Sequence, residues 1–435
     1  MTREIKKVVL LGANGTMGFG SGTLFTGADC EVHFLARTKA KAEEGLIAAK
    51  KLVRSNTVGN KVTLGSYDKD LEKSVANADL IFEAVAEDFQ IKSEFYEKID
   101  QCRRPDSIVA TVSSGLSITK LAEPRSKSFQ KHFLGLHYFN PPHVITGTEI
   151  ILGKETDPTL IDFLIDWCAK NQQRVMVKTF DRPGFAGNRV GFKVLNEVAQ
   201  LAEKYGPAYM DAIIGPYTGR AMAPLATIDL VGWDVHRAIV DNVIDNVTSE
   251  SDEAFATYHM PEYMRDLLED GTLGNKSGKG FFKRVEKEKF VLDIATGDYV
   301  PVSSVSVPKP AFIKEMKFLH NVGKYKEAMK IFAEAEGPEA LIAQKVIGGY
   351  ISYSFHRVGE VTEDITAIDM IMGMGFNWAP PSVLVDTIGL KETVAMMEKA
   401  KVLVPLALSK ALSKNSKKPF FNHPQVNIGK FFVAK

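Results

Sequence analysis

From residue 1 to about 182, short apolar and β-branched runs alternate with helical stretches, and this alternation constrains the fold more than any other feature of the chain. VVLL at 8–11, EVHFL at 31–35, LIFEAV at 80–85, SIVATV at 107–112, FLGLHYF at 133–139, EIIL at 149–152 and VMVK at 175–178 read as strands. Helical stretches at 38–53, 90–101 and 157–171 separate several of them, which predicts consecutive parallel strands joined by right-handed crossovers. The expectation is a doubly wound α/β sheet. After DRPGFAGNR the character changes: 184–205 reads as a long amphipathic helix and nearly everything to 275 as helical, so a domain boundary is expected near Pro183. GTLGNKSGKGFF at 271–282 is a glycine-rich turn segment, and the weakly patterned, Pro-containing stretch 286–311 suits a connector.

The helical half carries a weak internal repeat. MAPLATIDLVGWD at 222–234 resembles APPSVLVDTIGLK at 379–391, with Pro224 and Pro381, Asp229 and Asp386, and Gly232 and Gly389 each 157 residues apart. Where the first copy has Asn188 and Arg189, the second has Gln344 and Lys345, which suggests one active site and one structural copy. Trp378 and the Met-rich IDMIMGMGF at 368–376 fit a packed face between the copies better than a ligand box.

A chain of 435 residues is long for one compact core and implies two to three domains. With 25% charged residues and a formal net charge of +1, it has no global signature of nucleic acid or anionic membrane, so an anionic ligand must be met locally. Cys30, Cys102 and Cys168 lack metal-ligand spacing and fit free thiols in a reducing compartment. No metal is expected. MTREIKKVVLLGANG runs straight into a strand, and no apolar run approaches ~18 residues. A cytoplasmic protein without signal peptide or membrane span is the expectation.

GANGTMG at 12–18 follows a strand and precedes a helix, the context a pyrophosphate-binding turn requires. Gly12, Gly15 and Gly18 form GxxGxxG, one residue longer than usual before the second glycine, and Thr16 and Met17 complete the turn. Glycines let the backbone approach the phosphates, and the helix start offers unpaired N–H groups. An NAD site expects an acid at the end of the second strand; this chain has Ala36, then Arg37 and Thr38, with Lys39 and Lys41 behind. That exchange suits the 2′-phosphate of NADP and equally suits a solvated basic helix start. Downstream, GLHYFNPP at 135–142 and Glu149 put a histidine and a carboxylate a short hairpin apart. Histidine starts near the pKa a general base needs, and a neighbouring carboxylate fixes its tautomer and steadies the imidazolium.

Together these residues resemble the L-3-hydroxyacyl-CoA dehydrogenase family of fatty-acid β-oxidation. EAVAEDFQIKSEFYEKID at 83–100 resembles the family's acidic segment and following helix, and ATVSSGLSIT at 110–119 its Asn-Thr-Ser-Ser turn. GLHYFNPP with Glu149 resembles the catalytic histidine motif and its glutamate, DRPGFAGNRV at 181–190 the domain-joining segment, and LGNKSGKGFF the closing segment. The resemblance implies a Rossmann-like doubly wound sheet over 1–183. It implies two all-α domains like those of 6-phosphogluconate dehydrogenase after it, at 184–285 and, after a linker, as a degenerate second copy within 286–435. It assigns His137 as catalytic base, Glu149 as its partner, and Ser114 and Asn188 as substrate-positioning groups. Glu87 and Lys92 join the glycine turn, Arg37 and Thr38 at the cofactor, which the resemblance makes NAD while ART keeps NADP open. Val112 stands where the family has asparagine, and His143 adds a second imidazole. Lys50, Lys51 and Arg54 are candidates for the phosphates of an acyl-CoA substrate, or form a solvated helix face. No hydratase-like region precedes the first domain, which speaks for the monofunctional form. The tandem copies imply a monomer built as an internal pseudo-dimer, or a homodimer. Two rivals stand beside this reading: a dehydrogenase of a non-CoA hydroxy acid, and a non-catalytic nucleotide-binding protein.

Overall fold

The computed structural model describes residues 3–432, which fall into two compact units that part between Phe185 and Ala186. In the first unit the strands are β1 (Lys7–Leu11), β2 (Glu31–Ala36), β3 (Val62–Ser66), β4 (Leu80–Glu83), β5 (Ile108–Thr111), β6 (Phe133–Tyr138), β7 (Gly147–Leu152) and β8 (Val175–Thr179). The helices are α1 (Thr16–Gly27), α2 (Lys39–Val53), α3 (Tyr67–Val75), α4 (Phe89–Cys102), α5 (Ile118–Ala122), α6 (Lys127–His132) and α7 (Pro158–Gln172). All eight strands form one sheet in the order β3-β2-β1-β4-β5-β6-β7-β8. Thr38, Asp88 and Asp157 start α2, α4 and α7 by accepting from the N–H of Lys41, Ile91 and Thr159, which satisfies donors the first turn leaves open.

Strand parity sorts the core into two layers. Val8, Leu10, Phe34, Phe82 and Leu136 face one side, while Val9, Leu11, Leu35, Ile81 and Phe133 face the other with Tyr96, Ile99 and Phe129. One strand is not among those the sequence predicts, and one pair keeps to the short hairpin expected between His137 and Glu149. VTLGS at 62–66 forms β3 although only one of its residues is strongly β-branched and apolar. And β6 pairs with β7 antiparallel, whereas β1 to β6 run parallel. The eight residues between β6 and β7 make a hairpin loop, too short for a helical crossover.

The second unit is built on α8 (Gly187–Tyr205), α9 (Pro207–Ile213), α10 (Pro224–Val231), α11 (Trp233–Asn246) and α12 (Glu262–Glu269). It continues with β9 (Phe282–Val285), β10 (Glu288–Leu292) and β11 (Tyr299–Pro301). There follow α13 (Ala311–Asn321), α14 (Tyr325–Glu334), α15 (Pro338–His356), α16 (Ile365–Met374), α17 (Pro381–Ile388), α18 (Leu390–Lys399) and α19 (Leu406–Ser413). The expected connector is therefore partly ordered as an antiparallel sheet, β11-β10-β9, so this half is not wholly helical. Lys283 and Lys289 cover the rings of Tyr299 and Phe282 there, which supplies apolar cover that the charged sequence hid.

Candidate active site

His137 and Glu149 are register partners across β6 and β7. Both side chains point to the sheet face that carries Phe133 and Ile151, because each lies an even number of residues from them. His137 Nδ1 lies 2.7 Å from Glu149 Oε2; the histidine is 4% exposed and the glutamate fully buried. The imidazole also packs on Phe139 and Phe185, with ring centroids 4.9 and 5.6 Å away. A carboxylate only accepts, so the bond assigns the proton to Nδ1 and leaves the lone pair on Nε2. An apolar collar with one carboxylate behind it suits a base that takes a proton at Nε2.

A second polar group organises the 113–115 turn. Glu87 Oε1 accepts from Ser113 Oγ at 2.6 Å and from the N–H groups of Ser114 and Gly115 at 2.7 and 3.1 Å. Burial pushes the Glu87 carboxyl up, but Lys92, Ser113 and the two N–H groups outweigh it and hold it below the usual range. Ser114 is thereby placed by its own backbone. Lys92 is fully buried, its Nζ 2.7 Å from Glu83 and 3.4 Å from Glu87. Lys92 is thus the internal counter-ion of two carboxylates, and Glu87, with a side chain 41% exposed, is the one that reaches the surface.

Sequence reading missed Glu83. Fully buried at the end of β4, it accepts from Lys92, from Tyr96 Oη, from Thr111 Oγ1 at 2.7 Å and from the N–H of Val85 at 2.7 Å. Its signal was a lone acid in the apolar strand LIFE. Asp181 was also missed; its carboxylate takes the hydroxyl of Ser117 and the N–H groups of Ile118 and Thr119, anchoring α5.

At the glycine turn, Gly12 has φ +78°, and a Cβ there would lie 2.1 Å from the Ala84 carbonyl oxygen. A Cβ on Gly18 would lie 2.0 Å from the Gly12 carbonyl oxygen. Packing therefore demands both. Gly15 differs: its Cβ would meet only the Gly12 oxygen, at 3.4 Å, so its lack of a side chain serves approach from outside. Gly15 precedes Thr16 at the start of α1, where no side chain caps the helix and Thr16 is exposed, while Met17 turns partly into the core. These residues fit a dinucleotide pyrophosphate. The Gly12 N–H is held by Tyr67 Oη at 2.9 Å.

The remaining candidates are spread out. Arg37 is exposed just beyond β2, and Thr38 caps α2. Lys50 and Lys51 occupy the last turn of α2, and Arg54 ends it with φ 52°; in that place cations complement the carbonyl end of the helix whether or not they meet a ligand. Val112 is a core residue at 8% exposure, which accounts for an apolar side chain where the family has asparagine. His143 lies in the hairpin loop, where burial and the nearby Arg174 lower its pKa. Asn188 is buried in the first turn of α8, in the second unit. Among the described residues, no cluster of three or more His, Cys, Asp or Glu could hold a metal, and no helix is long and apolar enough to cross a membrane.

Comparison with known proteins agrees with this geometry. Residues 7–181 match the family described as 3-hydroxyacyl-CoA dehydrogenase, NAD binding domain, and residues 184–284 match its C-terminal domain. A probable 3-hydroxyacyl-CoA dehydrogenase of Bacillus subtilis is 30% identical over 96% of this chain and 55% of its own length. One of Deinococcus radiodurans is 31% identical over 66% of this chain and 85% of its own. The chain thus spans little more than half of the first relative. The crystal structure of 3-hydroxybutyryl-CoA dehydrogenase from Escherichia coli superposes with a TM-score of 0.70 over 95% of this chain and 99% of the other, at 18% identity, a likeness of fold.

Proposed function

Because the chain belongs to the 3-hydroxyacyl-CoA dehydrogenase family, we propose that it interconverts L-3-hydroxyacyl-CoA and 3-oxoacyl-CoA with a nicotinamide dinucleotide, as in β-oxidation. The observation that carries the reading is the buried His137–Glu149 pair, 2.7 Å apart, on a sheet that also presents a glycine turn. Gly12, Gly15, Thr16 and Gly18 would hold the pyrophosphate of NAD, and the nicotinamide, when bound, supplies or accepts the hydride. His137 accepts the 3-hydroxyl proton at Nε2. Glu149 stabilises the imidazolium that results and keeps the ring from turning. Glu87 fixes the turn that carries Ser114, and Ser114 orients a substrate oxygen. Lys50, Lys51 and Arg54 are the cations we assign to the CoA phosphates. We further propose that 184–285 is the catalytic helical domain and 286–435 a linker with a degenerate copy, which lets the chain act as an internal pseudo-dimer.

Reduction of acetoacetyl-CoA, followed at the nicotinamide absorbance, tests this. His137→Ala should lower kcat by ~10²-fold or more with cofactor binding retained, the scale of a lost acid/base group. Unchanged kcat removes His137 from the mechanism. Equal turnover of free acetoacetate would shift the reading to a non-CoA substrate, and binding of cofactor without any turnover to a non-catalytic protein.

A further inference from the structure

The nucleotide end of the first unit departs from what NAD asks of it. Ala36 is the last residue of β2, fully buried and paired in register with Ser66 of β3. It therefore occupies the place where a carboxylate would accept from the adenosine ribose hydroxyls. The first turn of α2 contains no acid. It begins Lys39-Ala40-Lys41, and Glu43 and Glu44 come only later.

Contacts tie the glycine turn to the elements that flank Arg37, β2 and α2. The Ala13 N–H donates to the carbonyl of Leu35 at 3.1 Å, tying the turn to the end of β2. Helix α2 touches the turn at Gly45, where a Cβ would lie 2.2 Å from the Ala13 carbonyl oxygen. Tyr67, which holds the Gly12 N–H, follows Ser66, the register partner of Ala36, so the turn lies at the same ends of β2 and β3 that Arg37 leaves. Arg37 is exposed and joins no ion pair among the described residues, whereas Lys41 is engaged with Glu44 at 2.8 Å.

Resting on the dinucleotide reading above, we propose that Arg37, with Lys39 beside it, forms a subsite for the 2′-phosphate of NADP(H), so that the chain takes the phosphorylated dinucleotide in preference to NAD(H). A guanidinium meets a phosphate with two parallel charged hydrogen bonds, and an exposed, unengaged one gives up no internal partner to do so. Neither a buried Ala nor a helix start without acids offers the ribose diol of NAD an acceptor. The subsite thus both attracts the phosphate and withholds what the diol needs.

Equilibrium titration of the full chain with NADPH and NADH, without acyl substrate, reads the subsite independently of turnover. NADPH should bind at least ~10-fold tighter than NADH, as one charged phosphate contact predicts. Arg37→Ala should remove that advantage by weakening NADPH at least ~10-fold more than NADH; the side chain is exposed, so the variant keeps its fold. As a second measurement, 2′-phospho-ADP-ribose should displace NADPH better than ADP-ribose from the wild-type chain and no better from Arg37→Ala. Tighter NADH binding, or an NADPH affinity indifferent to Arg37→Ala, overturns the subsite while leaving the dehydrogenase reading intact. Binding of neither dinucleotide would overturn the dinucleotide reading and the subsite with it.

Discussion

The two halves of the helical unit solve the same backbone problem with different side chains. Gly232 ends α10 at φ +104° and ψ 136°, and Gly389 ends α17 at φ +105° and ψ 137°, a region that L side chains rarely enter. Pro224 and Pro381 start those helices. Asp229 accepts from the N–H groups of Phe281 and Phe282, and Asp386 from those of Phe420 and Phe421. Asp211 takes the N–H groups of Leu225 and Ala226, and Asp369 that of Ser382. The halves meet edge to edge at Arg220 and Trp378, with Ala221 N–H on Asn377 and Ala379 N–H on Gly219. What differs lies at the start of the long helices. In α8, Arg189 is fully buried and binds Asp252, Glu360 and the Tyr353 hydroxyl. In α15, Gln344, the counterpart of Asn188, donates to the carbonyls of Phe332, Ala333 and Ala335 at the end of α14 and serves only its own half. Three residues of the second half, Tyr353, Arg357 and Glu360, thus serve a cluster centred on the first. Shared turns persist where backbone geometry dictates them, and side chains drift where only one half has a task.

The largest expected effect breaks this asymmetry directly. Arg189→Ala leaves Asp252 buried without its main counter-charge and should cost ~3–5 kcal/mol in denaturant unfolding. Gln344→Ala should cost ~1–3 kcal/mol, since neutral carbonyls are left unpaired. Equal losses would mean that the charged cluster at Arg189 contributes no more than the neutral contacts of Gln344. A smaller contrast separates Asp229 from Asp386, because Asp229 also accepts from Trp233 Nε1 at 2.8 Å, and Leu390 stands in the corresponding place. Asp229→Ala should therefore destabilise more than Asp386→Ala, by ~1 kcal/mol; the reverse order in the same unfolding experiment would refute that contrast.

The smallest effect is a pH dependence. Burial pushes Asp369 up to about 8 and Asp211 up to about 7, each partly offset by N–H donors, of which Asp211 has two and Asp369 one. With folded values above the unfolded one, these groups favour the fold most below the unfolded pKa, and that contribution is lost as pH rises through 7 to 8. Melting temperatures should fall from about pH 4 to about pH 8 and level off above that. Asp369→Asn, which keeps an acceptor for Ser382, should flatten the upper part of that fall by a few degrees, and Asp211→Asn the lower part. A profile unaffected by either substitution would show that these carboxyls ionise in the fold as they do in the unfolded chain.

Much of this was legible in the chain. Seven of the eight strands of the first unit announced themselves as apolar runs, because a strand covered on both faces must be apolar throughout. His137 and Glu149 stood out as polar residues in such runs. β3 was hidden because three of its five residues are Thr, Gly and Ser, and it is held by pairing with β2. Lys92 was read as a ligand contact because sequence gives residue type and spacing but not the depth at which a charge ends up.

The sequence by itself determined the strand and helix periods, the glycines that alone fit the turns at 12, 18, 232 and 389, and the chemistry available at His137, all of them local properties of residue type and spacing. Only the tertiary structure decided the register of the β6–β7 hairpin, which sets Glu149 directly opposite His137. It alone decided that Glu83 and Lys92 neutralise each other beneath the 113–115 turn, and that Tyr353, 164 positions along, closes on Arg189. Those outcomes depend on which distant groups are buried together, and a buried charge finds its partner through space, where order along the chain has no hold.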